Sequence, residues 1–266
     1  IMEPDWTQTL PVYIFLGFMG LVLGSFLNVV IYRLPRGMSI VKPRSACPSC
    51  GKPIPFYLNI PVLSYLILRG KCKYCGEKIS PRYLFVELIS GAIVLGYYFW
   101  LGASWQFVGY TVLTLALLVI FMIDLEHYII PDEITYPGIA LGLAFSFVNP
   151  DLTIIQSALG MAIGGGGLLL IALLGDWLFK KESMGGGDIK LAAMLGAFLG
   201  WKLILFVFIA SSVIGLVISI VVMFFSDSVR ESRKIPFGPF LAAAAVTAII
   251  CGDYLINLYI SRFYNI

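Results

Sequence analysis

The sequence predicts an all-α, polytopic membrane protein of about eight transmembrane helices, with a basic, cysteine-bearing loop that forms a zinc knuckle on the cytoplasmic side. Three observations predict it. Hydrophobic residues make up 59% of the 266 and charged residues only 12%, half of the roughly 25% that a soluble domain carries. Long stretches contain no charge at all. Lysine and arginine crowd into one segment instead of spreading along the chain.

Uncharged runs occupy 11–32, 106–123, 152–175, 203–225 and 235–252, and most reach the ~17–25 residues that a spanning helix needs. Shorter apolar stretches at 83–101 (interrupted by Glu87), 134–148 and 189–201 bring the expected count to eight. The first run does not read as a cleavable signal. No basic residue precedes it, and Tyr32-Arg33-Leu34-Pro35 offers no small-residue cleavage site.

Residues 33–82 hold ten Lys and Arg against the single acid Glu77, a net +9 in a chain whose total is +3. Basic residues mark the cytoplasmic side of a membrane protein. With eight spans and this loop inside, Lys180, Lys181, Lys190, Arg230, Arg233 and Lys234 also fall inside, leaving only Lys202 and Arg262 outside. The loop's charge is thus read as topology and contact with anionic membrane lipids, not as a nucleic-acid surface.

Two regions follow. Residues 11–101 form a helix pair around the loop 33–82, in which Pro43, Pro48, Pro53, Pro55 and Pro61 exclude long helices. Residues 106–260 form a bundle with short connections. Within it, Gly164-Gly165-Gly166-Gly167 is read as a small-residue face for close helix packing.

The loop carries Cys47-Pro48-Ser49-Cys50-Gly51 and Cys72-Lys73-Tyr74-Cys75-Gly76. Two Cys-x-x-Cys pairs at this separation suit a tetrahedral site of four thiolates, with each glycine allowing a turn that aims backbone N–H groups at sulfur. Two disulfides or four free thiols are the alternatives, and a reducing cytoplasm disfavours the first. Four thiolates leave no open position, so the expected Zn2+ is structural. Cys251, in the last apolar run, reads as a buried small hydrophobe.

Two carboxylates stand out. Asp124 closes the apolar run 115–123, and Asp188 follows Gly185-Gly186-Gly187 and opens another apolar stretch. Acids beside lipid are costly and usually functional. Brought together, a pair can share one proton and divide the roles of acid and base. Around them, Glu126, His127, Asp132 and Glu133 read as a solvated interfacial turn, with Asp132 and Glu133 opening the helix after Pro131. The glycines let another backbone approach the acid, which makes Gly185 and Gly187 candidates to hold an extended peptide. Pro236-Phe237-Gly238-Pro239 is a second candidate for that task. Lys190 is a candidate contact for an acidic group of the substrate, or an interfacial anchor.

Gly185-Gly186-Gly187-Asp188 resembles the Gly-x-Gly-Asp signature of intramembrane-type aspartyl proteases. Taken with Gly24-Ser25-Phe26-Leu27-Asn28, Arg33-Leu34-Pro35, both cysteine pairs, Asn59-Ile60-Pro61, Ile130-Pro131-Asp132 and Pro236-Phe237-Gly238-Pro239, nearly the whole chain is similar to the bacterial type IV prepilin peptidases. The resemblance implies a multi-pass protein of the bacterial inner membrane. It would cleave the basic leader of prepilins and of type II secretion pseudopilins, with Asp124 and Asp188 as the catalytic pair. It also implies N-methylation of the new terminus with S-adenosyl-L-methionine as donor. The helix-end positions favour Asp188 as base and Asp124 as acid in the first step, by only ~0.3–1 kcal/mol each. No dinucleotide-type fingerprint marks a donor site; Asn59, Arg82, Tyr83 and Glu87 are polar residues beside the loop, without an assigned role. Two other readings stay open: a peptidase whose loop only docks substrate, and a proton- or cation-coupled transporter. Oligomeric state is not readable.

Overall fold

The computed structural model describes residues 6–181, 184–225 and 236–264; Arg230, Arg233 and Lys234, expected on the cytoplasmic side, lie outside them. The named elements among the described residues are all helical. They are α1 (Trp6–Arg33), the short α2 (Leu63–Ile67), α3 (Pro81–Leu101), α4 (Trp105–His127), α5 (Asp132–Phe145), α6 (Ile154–Phe179), α7 (Gly186–Phe225), α8 (Gly238–Thr247) and α9 (Asp253–Tyr264). A single π-helical turn, Ala248–Gly252, joins the last two.

Six stretches among the described residues are long and apolar enough to cross a membrane: Leu10–Arg36, Pro81–Leu101, Trp105–His127, Ile154–Phe179, Gly186–Val222 and Gly238–Arg262. The expectation of eight therefore stands at six by this measure, for two physical reasons. α5 has only 14 residues, about 21 Å of helix against a ~30 Å hydrocarbon core. The stretches expected at 189–201 and 203–225 are counted together as α7, although the helical geometry breaks between them at Gly200 (φ 77°, ψ 172°), so that α7 is two helices meeting at a kink. The outer face of α6 exposes Leu170, Leu174, Trp177 and Leu178, an apolar surface suited to lipid and unsuited to water.

The chain divides into two compact units, Ile1–Leu115 and Ala116–Ile266, with the division inside α4. In the first unit α1 packs on α3. Gly20 and Gly24 lie directly against the α3 backbone: a Cβ on Gly20 would stand 2.8 Å from the Gly91 Cα, and one on Gly24 would stand 2.7 Å from the Glu87 Cα. α3 begins where Pro81 supplies the first helical residue and the Ser80 hydroxyl accepts the Arg82 N–H at 3.3 Å. The Tyr97 and Thr114 hydroxyls bond each other at 2.9 Å in the interior.

In the second unit the first half of α7 is the core. Leu191, Ala192, Met194, Leu195 and Ala197 are completely buried, between α5 and α6. On the α6 side, Gly160 and Gly196 meet backbone to backbone, so that a Cβ on either would run into the other's carbonyl. Gly164 and Gly165 continue this contact against Ala192 and Ala193, whereas Gly166 faces open space. Gly164 and Gly165 therefore pack as expected, and Gly167 makes a looser contact with Phe208. The Ser157 hydroxyl donates across the same interface to the Ala197 carbonyl at 2.6 Å. On the α5 side, Gly138 and Gly142 admit Met194, Ala197 and Phe198. α6 is started by a reciprocal capping box between Thr153 and Gln156.

Overpacking a tight helix contact costs ~1–3 kcal/mol or more. Gly196→Val is expected to reach at least the upper end of that range. Gly166→Ala, in open space, should be neutral or gain up to ~1 kcal/mol of helix propensity. Thermal unfolding of the two variants in detergent checks the difference.

Candidate active site and metal centre

α4 ends one turn after Asp124. Tyr128 adopts a left-handed conformation (φ 56°), and its N–H caps the Asp124 carbonyl at 2.9 Å. Pro131 then stands at the N-cap of α5, whose first turn holds Asp132 and Glu133 as expected. Asp124 is only 5% exposed, and its Oδ2 accepts the backbone N–H of Gly238 at 3.1 Å.

Asp188 sits in the first turn of α7, with its N–H on the Gly185 carbonyl at 3.2 Å. It lies within electrostatic reach of Asp124. Its Oδ1 is buried and has no hydrogen-bond partner among the described residues. One residue organises the pair. Ile130 packs on Gly187, where a Cβ would stand 2.9 Å from the Ile130 Cβ, and also on Gly238, where a Cβ would stand 3.2 Å from the Ile130 Cδ1. The turn after α4, the glycine run before α7 and the start of α8 therefore converge on one side chain. Two carboxylates, one with a single donor and one with an orphaned oxygen, can hold a proton and a water between them.

The glycines divide their tasks. Gly238 is required because a Cβ there would press on the Asp124 carboxylate. Residue types alone do not reveal this role for the Pro236-Phe237-Gly238-Pro239 segment, since its partner is 114 residues away. Gly187 lies against Ile130, so that a side chain there would press on it. Gly185 and Gly186 are exposed and next to Asp188, so open backbone adjoins the acid. Lys190 is committed as well: its Nζ donates to both Asp132 oxygens, at 2.6 and 2.8 Å, and lies over the Tyr136 ring. It ties the first turn of α7 to that of α5.

The first unit holds the four-cysteine cluster. The Cys47, Cys50, Cys72 and Cys75 sulfurs all lie within 4.8 Å of one another, with Cys47 and Cys75 at 3.9 Å, and none forms a disulfide. Zinc–sulfur bonds of ~2.3 Å in a tetrahedron put sulfurs about 3.8 Å apart, so the set fits that ion. The two knuckles are built alike. The Cys47 N–H bonds the Lys52 carbonyl and the Gly51 N–H returns to Cys47; Cys72, Glu77 and Gly76 repeat the pattern at 2.8 and 2.9 Å. Gly51 and Gly76 both take positive φ, 68° and 73°. The backbone N–H groups of Cys75 and Tyr74 hold the Cys72 thiol down at about 6. Cys75, although Glu77 donates an N–H to it, is pushed up to about 11 by desolvation and by the sulfurs of Cys72, Cys50 and Cys47. A bound cation would replace that last proton.

Arg33, read from sequence as a topology charge and as part of the Arg33-Leu34-Pro35 motif, is 7% exposed. Its guanidinium donates to the Ser39 and Pro43 carbonyls at 2.9 and 2.8 Å, gathering the start of the loop.

Residues 18–101 match the profile of the Bacterial Peptidase A24 N-terminal domain, and residues 111–220 match that of the Type IV leader peptidase family. Three similar proteins carry the name prepilin leader peptidase/N-methyltransferase. The one from Stutzerimonas stutzeri is 37% identical over 91% of this chain and 91% of its own length. The one from Neisseria gonorrhoeae is 38% identical over 88% and 89%. The one from Myxococcus xanthus is 40% identical over 79% of this chain, which spans 63% of that protein. No solved structure matches the chain.

The cysteine geometry sets an expectation. Wild-type protein should carry one equivalent of zinc, and Cys72→Ser or a strong chelator should remove it and open residues 33–82 to protease. Metal analysis and limited proteolysis check both, and a metal-free wild type with an intact loop would count against the site.

Proposed function

The chain belongs to the type IV leader peptidase family, and on that footing we propose that it cleaves the basic leader from type IV prepilins and type II secretion pseudopilins, then methylates the new N-terminal residue with S-adenosyl-L-methionine. The observation that carries the reading is the meeting of Asp124 and Asp188 around Ile130. The protein is a multi-pass membrane protein. We place it in the bacterial inner membrane, with the aspartates and the cysteine loop facing the cytoplasm, on the strength of the ten basic residues at 33–82.

In the cleavage step one aspartate is ionised and the other protonated. The carboxylate takes a proton from a water whose oxygen attacks the scissile carbonyl carbon. The carboxylic acid gives its proton to the carbonyl oxygen. As the tetrahedral intermediate collapses, the C–N bond breaks, the departing amine takes the proton that the first base had gained, and the other aspartate recovers its proton from a hydroxyl of the intermediate. The helix-end argument names Asp188 as the first base. The Gly238 N–H on Asp124 favours the ionised form of that acid and so acts against this assignment. A helical substrate must unwind there, because its peptide bonds are shielded, and its freed backbone groups need partners inside the membrane boundary. The exposed backbone of Gly185 and Gly186 is the nearest supply.

The methyl transfer is assigned to residues 11–101 and the peptidase to 106–260. Zinc in the four-cysteine set keeps the loop 33–82 folded and supplies no open coordination position. The donor supplies the methyl group, and residues of the first region bind it and orient the acceptor amine. A docking-only loop would leave cleaved product unmethylated. A transporter would bind its ion near mid-membrane, whereas these carboxylates stand at helix ends.

Asp124→Asn and Asp188→Asn should each lower leader cleavage ~10²–10⁴-fold, the usual range for removal of acid–base catalysis. Both should still methylate a pre-cleaved pilin peptide. Gly238→Ala, which displaces the Asp124 carboxylate, should cut cleavage at least tenfold. Intact-mass analysis of a prepilin incubated with and without S-adenosyl-L-methionine reads all three. Substantial cleavage by a folded Asp188→Asn protein would refute the assignment.

A further inference from the structure

The first unit encloses a cavity of about 600 Å³ between the ends of α1 and α3 and the loop, with Asn59, Arg82, Tyr83 and Glu87 among its lining residues. That is the size of a small-molecule site. Its wall carries two buried acceptors, Asn28 at 2% exposure and Glu87 at 8%. The Asn28 amide is fixed in orientation, because its Nδ2 donates to the Tyr83 carbonyl at 3.0 Å. Its Oδ1 is left buried with no partner among the described residues. Glu87 Oε2 accepts the Val62 N–H at 2.7 Å, and the Ser25 hydroxyl also bonds this carboxylate. Both donors are neutral, and among the described residues no Lys or Arg forms an ion pair with Glu87.

The backbone is bent to make this arrangement. Val62 takes φ 61°, a conformation that β-branched residues avoid and that concentrates at functional positions. A buried carboxyl group held only by neutral donors is costly to ionise, and a buried carbonyl without a donor is costly to keep. One ligand group removes both deficits: a positive charge bearing several N–H donors.

We propose that Asn28 and Glu87 form a subsite for a primary ammonium group. The inference rests on the reading that this unit carries out the methyl transfer, and both reactants then offer such a group. The donor has one on its amino-acid end, and the acceptor has one as its new N-terminus. The sulfonium of the donor does not answer the description, because it has no N–H for the Asn28 oxygen.

The test uses full-length protein in detergent and matched ligand pairs. S-adenosylhomocysteine carries the ammonium and 5′-methylthioadenosine lacks it. A pre-cleaved pilin peptide carries one and its N-acetylated form, used as a competitor, does not. If the donor's ammonium binds here, wild type binds S-adenosylhomocysteine at least tenfold more tightly than methylthioadenosine by calorimetry. Glu87→Gln erases that preference, and Glu87→Asp, which keeps the charge, retains part of it. If the acceptor's amine binds here, Glu87→Gln leaves S-adenosylhomocysteine affinity unchanged but raises KM for the peptide at least tenfold. In that case only the free-amine peptide competes in wild type. Thermal unfolding of each variant accompanies the binding data. The wild-type comparisons stand even where a variant does not fold. Indifference of wild type to the ammonium in both pairs, or a folded Glu87→Gln protein that matches wild type in both, overturns the subsite. A wild type that neither binds a donor analogue nor methylates the peptide instead overturns the reading beneath it.

Discussion

Ile130 lies between two glycines from distant parts of the chain, Gly187 and Gly238, and the geometry of the acid pair depends on those contacts. Neither contact is strong. What makes them decisive is that α7, which carries Gly187, is packed too closely to shift and relieve a poor fit. The first half of α7 is fixed from both sides, by the backbone contact of Gly196 with Gly160 and by Met194 and Phe198 set into the glycine notches of α5. Apolar side chains gain little from meeting each other when lipid is the alternative, so membrane helices are held by close packing and by polar groups that find partners. The Ser157 bond to Ala197 and the Lys190 clasp on Asp132 are of that second kind. Rigidity there is a precondition for two carboxylates to sit side by side, since their repulsion would otherwise spread the helix ends apart.

Much of this is legible from residue types alone. The apolar runs give the helices, because in a membrane each spanning segment must satisfy its own backbone. The cysteine spacing gives the cluster, because knuckle geometry is local: each pair closes on its own glycine within six residues. Asp124 and Asp188 stand out because a carboxylate at the end of an apolar run is costly to keep there unless chemistry requires it. The count of spans is less legible. Charge marks where a segment stops being apolar, but not whether a 14-residue helix crosses the bilayer or whether a glycine such as Gly200 breaks one helix into two.

The partners of the acids are hidden for a different reason. Gly238 donates to Asp124 over 114 positions, and nothing in Pro236-Phe237-Gly238-Pro239 says what its N–H meets. Lys190 looks available for substrate in the sequence and is engaged by Asp132 in the fold. Glu87 looks like an interfacial acid interrupting an apolar run, yet it is buried against the backbone of a residue 25 positions earlier. Sequence identifies the groups that are costly to bury. It does not identify the long-range donors that make burial tolerable.

That distinction bears on how the loop and the membrane helices work together in the first unit. A segment of about fifty residues rich in proline and with only short helical turns has little regular backbone structure of its own to offset the entropy of ordering it. The four cysteine sulfurs bring its two halves together, as an ion among them would hold them, and the Arg33 guanidinium anchors its start to α1. Cys47 and Cys72 line the same cavity as Asn28 and Glu87. A metal held there would therefore do more than stabilise a loop: it would fix part of the lining that the cysteines share with the buried acceptors, and with it the loop that holds the Val62 N–H against Glu87 in an unfavourable conformation. Loss of the ion should thus be felt at Glu87 before it is felt in α1 or α3, whose mutual packing through Gly20, Gly24 and Gly91 involves no loop residue.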